Sequence, residues 1–135
     1  PAIAENKAGI QFTWFTAGGA AGVYYCNSKD NGKTFSPREM VSGPAAKHCQ
    51  ITSVGDDHTV IVWNENFITG NNSSSRIGLE MRSAGGSNPV KEFITPQNGT
   101  ASFPVIKTLD DKTVFVAYTE SVKDKDYVRY RVVNM

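Results

Sequence analysis

The sequence predicts an all-β fold made of three consecutive copies of one four-stranded antiparallel unit, the last copy incomplete. Three observations carry this. Short β-branched and aromatic runs alternate with clusters of Gly, Asn, Asp and Ser, the pattern of strands joined by turns. No segment sustains the helical period of apolar residues. Three segments also align with one another, which makes Trp14, Trp63 and Tyr118 equivalent, spaced 49 and 55 residues apart.

The elements follow in order. Residues 1–14 read Pro-Ala-Ile-Ala, a Glu-Asn-Lys-Ala-Gly turn, then Ile-Gln-Phe-Thr-Trp, which gives two strands. A third strand is expected over 22–27 and a fourth over 38–42, with the turn 28–35 between them. In the second unit, 49–63 supplies two strands around a Gly-Asp-Asp-His turn, 76–83 the third and 91–95 the fourth. Its turn, 83–87, reads as a decayed version of 28–35 without the Asp. In the third unit, 104–118 supplies two strands around Asp-Asp-Lys and 127–133 the third. Eleven strands result, in units of approximately 1–43, 44–97 and 98–135.

A period near 50 residues with several strands per unit is the signature of a β-propeller. Three blades do not close a ring, and an open arc leaves an apolar flank at each end. The expectation is therefore a propeller fragment belonging to a larger ring. The ring would be completed by the remaining blades of a parent chain or by a second copy.

The turn at 28–35 is chemically specific. It reads Ser-x-Asp-x-Gly-x-Thr-aromatic. Ser28 and Asp30 can accept hydrogen bonds from backbone N–H groups just downstream and close the turn. Gly32 suits a positive φ. Thr34 completes the pattern, and Phe35 can fold back on the apolar layer beneath. This string resembles the Asp-box, or bacterial neuraminidase repeat, of sialidase-like β-propellers. The rest of the chain is similar to the C-terminal half of secreted six-bladed members. The likeness lies in Phe12-Thr13-Trp14-Phe15-Thr16, Gly22-Val23-Tyr24-Tyr25, Phe35-Ser36-Pro37, Val62-Trp63-Asn64-Glu65 and Val116-Ala117-Tyr118-Thr119. The resemblance implies a propeller and a secreted or periplasmic protein. It does not imply the activity, because function lives in sites rather than folds. Sialidases of that family carry a Phe/Tyr-Arg-Ile-Pro string and three arginines that clamp the sugar carboxylate through their planar forks. They also use a Tyr nucleophile activated by a Glu, and an Asp acid. Here the nearest string is Ser75-Arg76-Ile77-Gly78, which lacks the aromatic and the Pro. Arg38, Arg76, Arg82, Arg129 and Arg131 all fall in or beside third and fourth strands and read as solvated strand-face charges.

Composition narrows the classes. At 135 residues a single domain is expected, and 39% apolar residues suffice for a core. The net charge of +1, without a basic stripe, gives no footprint for nucleic acid. No apolar run approaches the roughly 18 residues of a membrane span. No cofactor is expected. Cys26 and Cys49 read as two buried thiols, with a bridge between them as the alternative.

Propeller topology sorts the candidate site. The loops before first strands and after second strands share the functional face, and Asp-box turns lie on the other. Lys47, His48 and Cys49 open the second unit, and Phe103 and Pro104 open the third. Glu65 and Glu120 end second strands at equivalent positions, a long loop over 66–75 hangs from the same rim, and Tyr127 begins a third strand beside it. His48, Glu65, Glu120 and Tyr127 are the ligand-binding candidates. His48 and Cys49 are weak candidates for a metal, and acid–base work is a further option. For each, ordinary structural service is the stronger reading. His58 reads as a turn residue on the opposite face, and Trp14 and Trp63 as core between blades. The leading function is a non-catalytic propeller binding a glycan, peptide or protein at its channel face. The alternatives are a sialidase-like glycoside hydrolase with its catalytic parts in other blades, and a metal- or redox-associated periplasmic scaffold.

Overall fold

The computed structural model describes residues 1–84 and 88–135. It is all-β: β1 (Ala2–Asn6), β2 (Gly9–Thr16), β3 (Gly22–Ser28), β4 (Glu39–Ser42), β5 (Ala46–Val54), β6 (His58–Thr69), β7 (Asn72–Ser83), β8 (Val90–Phe93), β9 (Ala101–Asp110), β10 (Thr113–Val122) and β11 (Lys125–Asn134). They form three antiparallel sheets in chain order, β1-β2-β3-β4, β5-β6-β7-β8 and β9-β10-β11. The decayed turn expected over 83–87 falls partly outside the described residues.

The repeat alignment appears in the pairing registers. Trp14 stands opposite Tyr24, Trp63 opposite Gly78 and Tyr118 opposite Arg129, each on the second and third strands of its sheet. Because side chains alternate between faces with period two, the three aromatics mark the same face of successive sheets. In the second sheet that face, carrying Ile61 and Trp63, packs on Val23, Tyr25 and Val41 of the first. In the third sheet it carries Val114, Val116 and Tyr118 and packs on Val60, Val62, Ile77 and Leu79 of the second. Each sheet thus lays its leading face on the trailing face of the sheet before it. Val60, Val62, Ile77 and Val116 are fully buried, each contributing about 1.5–3 kcal/mol by removal from water. The first strands of successive sheets lie side by side: β1 packs on β5 and β5 on β9.

Among the described residues, two faces have no further sheet packed on them. The leading face of the first sheet exposes Ile3 and Met40, whereas Trp14, stacked on Tyr24 at 5.8 Å, is half-buried and Tyr24 and Cys26 are buried. The trailing face of the third presents Val105, Val128, Tyr130 and Val132, with Phe115 stacked on Tyr130 at 5.1 Å.

The structure corrects several details. The stretch 66–75 is not a loop. The β6–β7 hairpin continues through Asn66↔Ser75 to Thr69↔Asn72 and turns at Gly70, whose φ of 61° suits a two-residue connection. Likewise β10 and β11 pair to Val122↔Lys125, with Lys123 and Asp124 both at positive φ, so the last strand starts before Tyr127. His58 lies in β6, opposite Val54, rather than in the turn. Cys26 and Cys49 are both free and buried, as the sequence reading of two buried thiols expected. Arg76 and Arg82 are not solvated charges: their side chains are 19% and 12% exposed and ion-paired.

Candidate functional site

The rim where first strands begin is shaped by two backbone irregularities. The ladder of β5 against β6 shifts between Lys47 and Gln50, and that of β9 against β10 shifts between Val105 and Ser102. The residues in the shifts, His48 and Phe103, have φ of 54° and 52°. Left-handed backbone is costly for a residue with a large side chain. Bulges of this kind re-aim side chains. Here they bring the His48 ring to 4.6 Å from the Phe103 ring, centroid to centroid, and to 5.3 Å from Phe15 at the end of β2. The Asn64 side chain fixes the second bulge by accepting the Phe103 N–H at 3.3 Å.

Phe15, His48 and Phe103 line a cleft of about 310 Å³ with Cys49, Gln50 and Val105. Phe15 and Phe103 are 42% and 59% exposed. Partial burial, reinforced by the charge of Lys47, lowers the His48 pKa, so its imidazole is neutral at pH 7. Burial pushes the Cys49 thiol up, away from the thiolate that metal binding or nucleophilic attack needs. Among the described residues, no three or more His, Cys, Asp and Glu side chains gather to hold a metal ion. The cleft is an aromatic surface with a neutral imidazole at its centre.

The other candidates lie apart from it. Glu65 is 8% exposed and faces the first sheet. Its carboxylate accepts from Ser42 Oγ at 2.5 Å, Trp63 Nε1 at 3.0 Å and Arg76 Nη2 at 3.3 Å. Burial raises its pKa, but these donors together bring it below 4.5. Arg76 stacks on Phe93 with its guanidinium carbon 3.3 Å from the ring centre. Glu65 therefore ties the first two sheets together. Glu120 stands opposite Tyr127 in the β10–β11 ladder and sits 3.9 Å from Arg129, whose guanidinium lies over the Tyr127 ring. Sequence order placed these residues on one rim; it did not show that only His48 and Cys49 share the cleft. Phe15 and Phe103 were missed as lining residues, although Phe103 aligned with His48 in the repeat.

The turn at 28–35 closes as its chemistry requires. Gly32 N–H donates to Ser28 Oγ at 2.8 Å, and Ser28 Oγ donates to Asp30 at 2.9 Å. Thr34 gives Asp30 its N–H at 2.9 Å and its hydroxyl at 2.6 Å. Gly32 has φ of 84°, and Phe35 meets Phe12 edge-on at 5.3 Å.

Comparison of the chain with protein-family models, with curated proteins and with solved structures returns no match.

Proposed function

We propose that the three sheets are consecutive blades of a sialidase-like β-propeller, and that the protein is a non-catalytic binding module of a secreted or periplasmic chain. Its ligand is a carbohydrate, held at the rim by Phe15, His48 and Phe103. The single observation behind this reading is the pair of equivalent bulges that turn His48 and Phe103 toward each other. Such backbone costs about 1–3 kcal/mol per residue and persists where surrounding structure imposes it, often at ligand clamps. Exposed aromatic rings and a neutral imidazole suit the C–H face and hydroxyls of a pyranose. The five arginines support the non-catalytic reading. Arg76 and Arg82 are engaged by Glu65, Glu80 and Glu39, and none lines the cleft.

The leading face at Trp14 and the trailing face at Tyr130, on which no other sheet packs among the described residues, support completion of the ring by further blades or a second copy. The test of the binding reading is NMR titration of the 135-residue chain with lactose and sialyllactose. Shifts centred on Phe15, His48 and Phe103, lost in Phe103→Ala, are expected. Saturable shifts centred on the Asp30 turn, or binding that Phe103→Ala leaves intact, would contradict it.

A further inference from the structure

The sequence holds two Asn-Gly pairs, Asn31-Gly32 and Asn98-Gly99, and the fold treats them differently. An asparagine followed by glycine is prone to lose its side-chain amide, because a glycine nitrogen, with no Cβ beside it, reaches the amide carbon without a clash. The attacking nitrogen must first leave its own hydrogen-bond partner. In the turn at 28–35 that partner is the hydroxyl of Ser28, which is 1% exposed and accepts the Gly32 N–H at 2.8 Å. The same hydroxyl donates to Asp30, and Asp30 holds the Thr34 N–H and hydroxyl. Releasing Gly32 therefore costs a buried hydroxyl its donor and loosens the whole turn. At 96–99 the Gly99 N–H donates across one turn to the carbonyl of exposed Pro96 at 3.2 Å, the long end of the normal range. Asn98 itself is exposed.

We propose that Asn98 is a modification site: it converts through a succinimide to isoaspartate and aspartate, while Asn31 is held back by its turn. The Gly99 nitrogen gives its proton to water, and its electron pair attacks Asn98 Cγ. The N–Cγ bond forms, the Cγ–Nδ2 bond breaks and Nδ2 leaves as ammonia. Water then adds to one of the two ring carbonyls. Opening at the main-chain carbonyl of Asn98 routes the chain through the side-chain carbon, which gives isoaspartate. Opening at Cγ restores the ordinary peptide bond and gives aspartate. Both products place a new carboxylate at position 98. Isoaspartate also adds a methylene to the main chain just before Gly99, whose carbonyl accepts the Ser75 N–H at 2.9 Å. The next residue, Thr100, pairs with Ser75 and gives its hydroxyl to the Ser121 carbonyl. The altered linkage therefore sits where the loop before β9 is fastened to β7 and β10. An enzyme that methylates isoaspartyl carboxylates is the partner whose chemistry fits the product.

The test incubates the 135-residue chain in mildly alkaline buffer, folded and, in parallel, unfolded in urea. Each Asn-Gly peptide is followed by mass spectrometry and by methyl transfer from labelled S-adenosylmethionine with an isoaspartyl methyltransferase. Unfolded, the two pairs should react at comparable rates. Folded, Asn98 should react, with Asn31 slower by about tenfold or more, the scale of one hydrogen bond to a fixed partner. Ser28→Ala, which removes the acceptor of the Gly32 N–H, should bring Asn31 up toward the Asn98 rate; the comparison within the parent chain stands whether or not this variant folds. A folded chain that leaves Asn98 intact, or Asn31 reacting as fast as Asn98, would overturn the proposal. So would the same preference for Asn98 in urea, which would assign it to neighbouring residues rather than to the fold.

Discussion

His48 and Phe103 occupy the same position in successive sheets, share a left-handed backbone with φ of 54° and 52°, and meet ring to ring at 4.6 Å. The conformation recurs at equivalent ladder positions of the second and third sheets although the local sequences, Lys47-His48-Cys49 and Ser102-Phe103-Pro104, differ. Because Phe103 is 59% exposed, its ring contributes little burial to set against the backbone cost. Phe103→Gly should therefore hold or raise stability, by up to about 1 kcal/mol, while removing one wall of the cleft. Chemical denaturation checks this; a clear loss of stability would show that the ring, not the backbone, dominates.

The imidazole in that pair gives a pH dependence. Burial and the Lys47 charge lower the His48 pKa from 6.5, so the folded state binds the proton less well than the unfolded state. Its contribution is complete above pH 6.5 and is lost as pH falls below it. His48→Phe, which copies the residue of the next sheet, should flatten the fall in melting temperature between about pH 7 and pH 5. An unchanged pH profile would remove His48 as its source.

Asp30 titrates in a different window. Hydrogen bonds from the Thr34 hydroxyl and N–H, and from Ser28, hold its carboxyl at about 2 against an ordinary 3.8. A depressed carboxyl pKa stabilises the fold above pH 3.8, and the effect disappears as pH falls through about 2. Asp30→Asn should melt below the parent at pH 6, and the gap should close by pH 2. A gap independent of pH would mean that turn geometry, not charge, sets the contribution.

Trp63 and Gly78 depend on each other. A Cβ built on Gly78 would lie 2.4 Å from the Trp63 indole, and the indole is fully buried. Gly78→Ala should cost about 1–3 kcal/mol through overpacking, and Trp63→Ala about 3–5 kcal/mol through the cavity. The double variant should be less destabilised than the sum, because the cavity accepts the methyl group. Additive losses in urea denaturation would contradict the packing described.

Glu65 carries an interaction that reading the sequence assigned to ligand binding. With Arg76 it forms a pair whose side chains are 10% and 19% exposed. Glu65→Ala leaves the Arg76 charge with little solvent access and should cost about 3 kcal/mol, with Glu65→Gln milder. A change below about 0.5 kcal/mol would place the pair among weakly contributing surface bridges.

The strands, their grouping into sheets and the equivalence of Trp14, Trp63 and Tyr118 were legible because period-two alternation and turn residues are local signals. The Asp30 turn was legible for the same reason: its partners lie within a few residues. The cleft was not. It depends on bulges that reverse two side chains against the simple alternation, and no local residue announces a bulge at His48 or Phe103. Burial of Glu65 was equally hidden, since its partners Ser42 and Arg76 come from different sheets. The hairpin through Thr69 and Asn72 escaped notice because its polar strands lack the β-branched run by which strands are recognised.

In the reading proposed above, the three sheets are blades, and the leading face of the first and the trailing face of the third belong inside a larger ring. Light scattering of the purified 135-residue chain tests it most directly. A mass above 14.7 kDa is predicted, returning to 14.7 kDa when either Trp14→Asp or Tyr130→Asp places a charge on one of these faces. Mixing the two variants should restore association, because each supplies the intact face that the other lacks. A well-folded monomer of 14.7 kDa at every concentration, with both faces open to water, would contradict the account.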